Sequence, residues 1–296
     1  MTTTEPPPPA GSAPETTLRL GGVELARGIR AQVSSAAAEL SLAGVTPRLA
    51  VVVATDDESS AWYVRSIAKT AAKSGVSCDI VDVGADATAQ DVRTALEELS
   101  NDTSVHGIIL QTPLPAGADF EDLAASIDPA KDVDGANPLS LGRLGAGLPA
   151  FAPATAAAVL ALLDHYEVPL AGRTCVVVGR SNVVGKPAAQ LLLRRDATVT
   201  ICHRYTEDLA RYTRTADVLV VAVGRPGLIT AQHITEGAIV IDVGTTPTAE
   251  GGLAGDVDET GVSGLARGLT PVPGGVGPVT TALLLHHTIR SAQRHA

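Results

Sequence analysis

The stretch TCVVVGRSNVVGKPAAQLLL, running from Thr174 to Leu193, decides how the rest of the chain is read. Cys175 to Val178 form a short apolar run of the kind that fills a strand buried on both faces. A turn opened by Gly179 and closed by Gly185 follows, and then a helix with Pro187 in its first turn, where a missing N–H costs nothing. Glycines let the backbone approach a ligand without a Cβ clash, and the start of a helix offers free N–H groups to a phosphate. The spacing is G-x5-G rather than the G-x-G-x-x-G of standard dinucleotide turns, so a tight turn without a ligand is the competing reading. Strand and helix context favour the dinucleotide.

The next strand sharpens the cofactor. An NAD site usually carries Asp or Glu at the end of that strand, whereas Thr198 to Cys202 runs into His203 and Arg204, with Arg180 in the glycine turn. Three potential cations converge where a 2′-phosphate would lie, which selects NADP. The alternative is three ordinary solvated surface residues.

Outward from this unit the chain alternates helix-period stretches, such as Val23 to Leu40, with short apolar runs at Leu49 to Val53, Gly107 to Leu110, Ala197 to Ile201, Val218 to Val223 and Ala238 to Val243. That alternation defines an α/β protein with parallel, helix-covered sheets. A loop-rich stretch from Asp132 to Pro149 precedes a long apolar helix at Ala152 to His165 and divides the chain into two domains with a cleft between them. The expected boundaries are a disordered tail over residues 1–15 with four consecutive prolines, a substrate domain over 16–150, and a dinucleotide domain over 151–278. A C-terminal helix over 279–296 packs back on the first domain in this reading.

Composition limits the partners. Of 296 residues 45% are hydrophobic, enough to bury large cores, and seven aromatics leave those cores to Val, Leu, Ile and Ala. With 22 basic against 32 acidic residues the formal charge is −10, and no aromatic platform is interleaved with basic residues, so nucleic acid is not an expected partner. Cys78, Cys175 and Cys202 show no metal-ligand spacing, which excludes a zinc site and fits a reducing cytoplasm. No apolar run reaches the roughly 18 residues of a membrane helix, and no signal peptide is recognisable. Lysine is scarce: Lys69, Lys73, Lys131 and Lys186 stand against eighteen arginines.

From about Leu20 to Ser291 the chain resembles the bacterial methylenetetrahydrofolate dehydrogenase/cyclohydrolase family. The resemblance is carried by Ser60 to Val64, by VHGIILQTPLP at Val105 to Pro115, KDVDG at Lys131 to Gly135, GRSNVVGKP at Gly179 to Pro187, AIVIDVG at Ala238 to Gly244, GDVD at Gly255 to Asp258 and PVPGGVGP at Pro271 to Pro278. It implies a Rossmann-like parallel-sheet domain beside a smaller α/β substrate domain, a homodimer, and NADP-dependent oxidation of 5,10-methylenetetrahydrofolate followed by hydrolysis of the methenyl product. By position it assigns Tyr63, Gln111 and Asp134 to catalysis and substrate binding, and Pro273, Gly274 and Gly275 to the folate cleft. The expected cofactor contacts are Gly179, Arg180, Ser181, Val184, Gly185, His203, Arg204, Val223, Gly224 and Thr245, and no metal is expected.

One position departs. The family's catalytic lysine follows the tyrosine by four residues, and this chain has Ile67 there. Lys69 lies about 200° around the helix from position 67 and points away from the face shared by Tyr63 and Ile67. Ala136, Ser140, Pro153 to Ala156, and Thr245 with Thr246 also differ from the usual residues. Removing hydride from a methylene flanked by two amines is driven by nitrogen lone pairs and needs no side-chain base, whereas hydrolysis of the methenyl cation needs water activated and a proton moved. Losing a general acid/base typically costs about 10² to 10⁴ in rate. The expectation is an NADP-dependent dehydrogenase with cyclohydrolase activity lost or very weak. The alternatives are a paralogue acting on another C–N bond and a silent folate or NADP binder.

Overall fold

The computed structural model describes residues 16–248 and 251–295; the expected tail over 1–15 lies outside the described residues. In chain order the strands are β1 (Leu18–Arg19), β2 (Arg48–Val53), β3 (Ser77–Asp82), β4 (Gly107–Leu110), β5 (Thr174–Val178), β6 (Thr198–Cys202), β7 (Val218–Val221), β8 (Ile239–Asp242), β9 (Thr246–Pro247), β10 (Leu253–Ala254) and β11 (Gly268–Leu269). The helices are α1 (Val23–Leu42), α2 (Glu58–Lys73), α3 (Ala89–Asn101), α4 (Phe120–Ala124), α5 (Pro138–Gly145), α6 (Ala154–His165), α7 (Gly185–Leu193), α8 (Leu209–Thr213), α9 (Glu259–Val262) and α10 (Val276–His295).

Two parallel sheets result. One has the order β3-β2-β4, the other β1-β11-β8-β7-β5-β6, and a short antiparallel pair β9-β10 stands apart. The period of two along a strand sends alternate residues of β2 to opposite faces. Leu49, Val51 and Val53 join the core under α1, α2 and α10, while Ala50 and Val52 join the one under α3 and α4. In the larger sheet Cys175 and Val177 face the layer of α1, α6, α7 and α10, and Val176 and Val178 face the opposite core.

Helix α10 spans both units, because Val276, Val279 and Ala282 pack in the core of the larger sheet and Leu284, Leu285 and Ile289 in that of the smaller. Burying each large aliphatic side chain contributes about 1.5–3 kcal/mol, so α10 fastens the two sheets and fixes the walls of the space between them.

The expected elements appear with shifts at their ends, and among those not foreseen are strands β3 and β1. Strand β3 reads SCDIVD, carries two aspartates and lies half-exposed at a sheet edge, so no apolar run marks it. Its Asp79 accepts from Arg48 on β2 at 2.5 Å. Strand β1, within the stretch expected to belong to the substrate domain, pairs with β11 and extends the larger sheet. The last helix begins at Val276, three residues before the expected start. Among the described residues no helix is long and apolar enough to cross a membrane.

Candidate active site

A cleft of about 590 Å³ opens between the two sheets, lined on one side by Tyr63, Gln111, Glu121 and Asp134 and on the other by Arg180, Ser181, Asn182 and Lys186. Each wall is set by local chain chemistry. Asp57 caps α2 by accepting from Ser60 N–H at 2.7 Å, and the helix it starts carries Tyr63 to the cleft one and a half turns later. Gln111 follows the C-terminal end of β4, its backbone N–H bonded to Val52 O at 2.9 Å and its side-chain amide to Thr112 O at 2.7 Å.

The KDVDG segment divides its labour. Lys131 Nζ donates to Leu99 O, Ser100 O and Asp102 O and so closes the C-terminal end of α3. The Asp132 carboxylate accepts from the N–H groups of Ala136 and Asn137, both at 2.9 Å, and His287 Nδ1 donates to Val133 O at 2.8 Å. With its neighbours tied down, Asp134 alone of the segment reaches the cleft. Burial pushes its carboxyl up to about 7, with the nearby Asp132 charge acting in the same direction. Burial, then the Asp134 charge, pushes the Tyr63 phenol up to about 12, partly offset by its hydrogen bond with Thr281 on α10.

Ile67 lies one turn beyond Tyr63 and is fully buried in the core shared by α2, β2 and α10, not in the cleft lining. Lys69 is exposed. The lysine that does line the cleft is Lys186, on the opposite wall. Ala136 and Ser140 are buried outside the lining, with the Ser140 hydroxyl bonded to Asp132, so these two departures support the KDVDG turn. Of Pro153 to Ala156, Thr155 reaches the cleft.

On the cofactor wall, Gly179 has φ +130°, and a Cβ there would sit 2.2 Å from Ala222 O at the end of β7. At Gly185 a Cβ would sit 2.2 Å from Gly179 O, so the turn closes on itself and admits only glycine at both ends. Ser181 stands where the middle glycine of a standard turn would be; its Oγ accepts from Val184 N–H at 3.2 Å and Gly185 N–H at 3.4 Å, leaving its own proton for an acceptor in the cleft. Val184 itself supplies no side-chain cap to α7.

The sheet order places the turns after β5 and β7 side by side at the carboxyl ends of the strands, where open α/β sheets bind ligands. The second turn, Val223 and Gly224, is braced: Asp256 accepts from the N–H groups of Val223, Gly224 and Arg225 at 2.6–3.1 Å. Asp242, at the end of β8, accepts in turn from Asp256 and Val257 N–H, and burial pushes it up to about 6. The IDVG and GDVD motifs therefore hold a loop, a role the sequence reading did not assign them.

Arg180 from the turn after β5 gathers with His203 and Arg204 past β6 around one ring. The guanidinium of Arg204 lies 4.7 Å and that of Arg180 5.6 Å from the centre of exposed Tyr205, and the His203 ring is 6.1 Å away. The side chains that follow β6, His203 to Thr206, include no acid, so the residues present fit a 2′-phosphate. Thr245 is exposed beyond β8 and lies outside the lining. Pro273, Gly274 and Gly275 also lie outside it; Gly274 and Gly275 pack instead against the start of α1, Gly22 N–H donating to Gly274 O at 2.8 Å. The loop they form launches α10, and Thr281 and Leu284 of that helix meet the cleft. Among the described residues no group of three or more His, Cys, Asp or Glu is placed to hold a metal ion.

Fold and cleft together define a two-domain α/β protein with a dinucleotide crevice facing a second, carboxylate-bearing wall. Residues 20–134 match the tetrahydrofolate dehydrogenase/cyclohydrolase catalytic domain, and residues 153–296 match the NAD(P)-binding domain of the same description. The chain is 81% identical over 283 residues to bifunctional protein FolD 1 of Saccharopolyspora erythraea, covering 96% of this chain and 97% of that one. The crystal structure of the bifunctional FolD methylenetetrahydrofolate dehydrogenase/cyclohydrolase of Campylobacter jejuni superposes with a TM-score of 0.92 at 38% identity, over 95% of this chain and all of that one. The FolD of Trypanosoma brucei, solved with NADP cofactor and an inhibitor, gives 0.90 at 35% identity over 95% and 99% of the two chains. The chain belongs to the tetrahydrofolate dehydrogenase/cyclohydrolase family.

Proposed function

We propose that the protein oxidises 5,10-methylenetetrahydrofolate to the methenyl form with NADP and has lost, or nearly lost, hydrolysis of that product. The observation that carries the reading is the composition of the two walls: a dinucleotide turn carrying Arg180 and Ser181 faces Tyr63, Gln111 and Asp134, while the position one turn after Tyr63 is a buried isoleucine. NADP, when bound, supplies the hydride acceptor. Arg180 and Arg204 hold the 2′-phosphate, and Ser181 with the start of α7 receives the diphosphate.

Asp134 in its ionised form accepts from the N–H groups of the pterin edge, Tyr63 covers the ring, and both fix the methylene carbon toward the cofactor wall. No side chain must take a proton in that step. Hydrolysis does require one, and the Ile67 side chain supplies neither donor nor acceptor. The same reading expects NADP in preference to NAD, and a homodimer acting in the cytoplasm. The paralogue reading loses support because Ala136 and Ser140 do not line the cleft.

The test is to mix the protein with NADP and methylenetetrahydrofolate and follow NADPH and the methenyl species together. Both are expected to rise, with the methenyl species persisting. Absence of NADPH overturns the reading, and rapid decay of the methenyl species overturns its second half.

A further inference from the structure

The cleft is crossed by side chains that none of the motifs above explains. Asn182, in the cofactor turn, donates through Nδ2 to Glu121 Oε1 at 2.5 Å, and Lys186 Nζ donates to Asn182 Oδ1 at 2.6 Å. Glu121 belongs to α4, on the substrate wall; Asn182 and Lys186 belong to the turn and first helical residues of the opposite wall. The amide is oriented by both neighbours at once, because reversing it would set its NH₂ against an ammonium and its oxygen against a carboxylate. Both contacts involve an ionised group, which makes them stronger than bonds between neutral partners, and Glu121 and Asn182 are half-buried.

The support behind Glu121 is firm. Asp119 caps α4 by accepting from Asp122 N–H at 2.8 Å. Arg93 on α3 binds Asp122 at 2.5 Å and Ser126 at 2.9 Å. Helix α4 is thus fastened to α3 beside it. The turn it reaches is anchored at its start, where Gly179 N–H donates to Cys202 O on β6 at 2.9 Å; past that point, apart from the bonds of Asn182, it is held by the N–H groups of Val184, Gly185 and Lys186 donating to Ser181, all local.

We propose that Glu121 is a positioning residue for the cofactor turn: through Asn182 it fixes Lys186 and the start of α7 in the arrangement that receives a dinucleotide's phosphates, so a carboxylate of the substrate domain sets part of the cofactor affinity. The identity of the ligand rests on the function proposed above; the strap itself does not.

The test uses the full-length protein and the variants Glu121→Ala, Glu121→Gln, Asn182→Ala and the Glu121→Ala/Asn182→Ala pair. In unliganded protein, amide hydrogen exchange over residues 179–186 is expected to quicken in Glu121→Ala and to return toward wild type in Glu121→Gln, whose amide oxygen still accepts. NADPH titration is expected to weaken about fivefold to tenfold in Glu121→Ala and in Asn182→Ala, no further in the pair, and less in Glu121→Gln. The KM for NADP rises with it while kcat stays within about twofold. Unchanged exchange in Glu121→Ala, unchanged NADPH affinity, or additive losses in the pair overturn the proposal. A wild-type protein that takes no NADPH overturns the cofactor reading instead, and the exchange measurement still decides the strap.

Discussion

The two walls of one cleft are built in opposite ways. The cofactor wall comes largely from one continuous run, Thr174 to Leu193, plus the turns after β6 and β7. The substrate wall collects single side chains from α2, the end of β4, α4 and the KDVDG turn, with α10 of the distant C-terminus closing it. A contiguous wall tolerates little change at its glycines, where backbone meets backbone. A collected wall can change one member and keep its frame, because each side chain is held by its own element.

The largest expected effect tests the first half of that contrast. Gly179→Ala forces a Cβ to within 2.2 Å of Ala222 O at a φ of +130° that L side chains rarely adopt, and neither backbone can yield without moving β5 or β7. NADPH binding should fall by more than about 10²-fold, read by titration, with melting at a lower temperature. Ordinary binding in this variant would show that the turn is softer than its geometry indicates.

Ile67→Lys tests the second half. An ammonium at a site packed by Val64, Ala71, Leu284 and Leu285 is desolvated, so the variant should melt earlier and its lysine should titrate below the ordinary range. If Tyr63 and Gln111 still stand as a hydrolytic pair, methenyl hydrolysis should rise about 10²-fold or more over wild type. Unchanged hydrolysis in a folded variant would mean that the collected wall has drifted at more than one member.

Asp134→Asn should lower kcat/KM for the folate substrate about 10²-fold by removing a buried charged acceptor. The sign of the pH effect follows from the raised carboxyl, whose titration near 7 makes the ionised fraction grow as pH increases. Wild-type kcat/KM should therefore climb through about pH 7 and level off above it, whereas the Asn variant should lack that limb. Stability runs the other way. A carboxyl raised by folding contributes stability that is fully present below its unfolded value and lost as pH rises through about 7, so Asp134→Asn should be the more heat-resistant protein in alkaline buffer. A functional residue that lowers stability is what a collected site with a buried carboxylate leads one to expect.

How much of this could be read from sequence also follows the contrast. The glycine turn, the missing acid after β6 and the arginine pair are local signals, and the structure brings Arg180 and Arg204 to one ring, that of Tyr205. Strand β3 was hidden because it lies at an edge with two aspartates, Asp79 bonded to Arg48 and Asp82 to the Gly84 N–H. Lys186 stood inside the quoted stretch, yet its place in the cleft depends on Glu121, 65 positions earlier, which no spacing rule connects to it. Motif order located Pro273 to Gly275 near the site without showing that the loop packs on Gly22 and acts through the helix it starts. The cores of charged motifs such as KDVDG and GDVD were legible as landmarks, whereas their division into scaffold and site needed the hydrogen bonds.

The smallest effect concerns the arginine pair and separates cofactor choice from cofactor binding. Arg204 donates to the Tyr205 hydroxyl at 2.7 Å and stacks on its ring, so it is preorganised without an acidic partner. Arg204→Ala removes one charge-assisted contact to a 2′-phosphate at an exposed position, a change of about 1.4 kcal/mol. The KM for NADP should rise about tenfold while that for NAD, which has no such phosphate, stays put. Equal losses with both cofactors would place Arg204 at the diphosphate or in the fold of the turn, and no loss with either would leave the three cations as solvated surface. Either result would break the equation of a missing acid with a phosphate site, and the contiguous wall would then specify a dinucleotide without specifying which one.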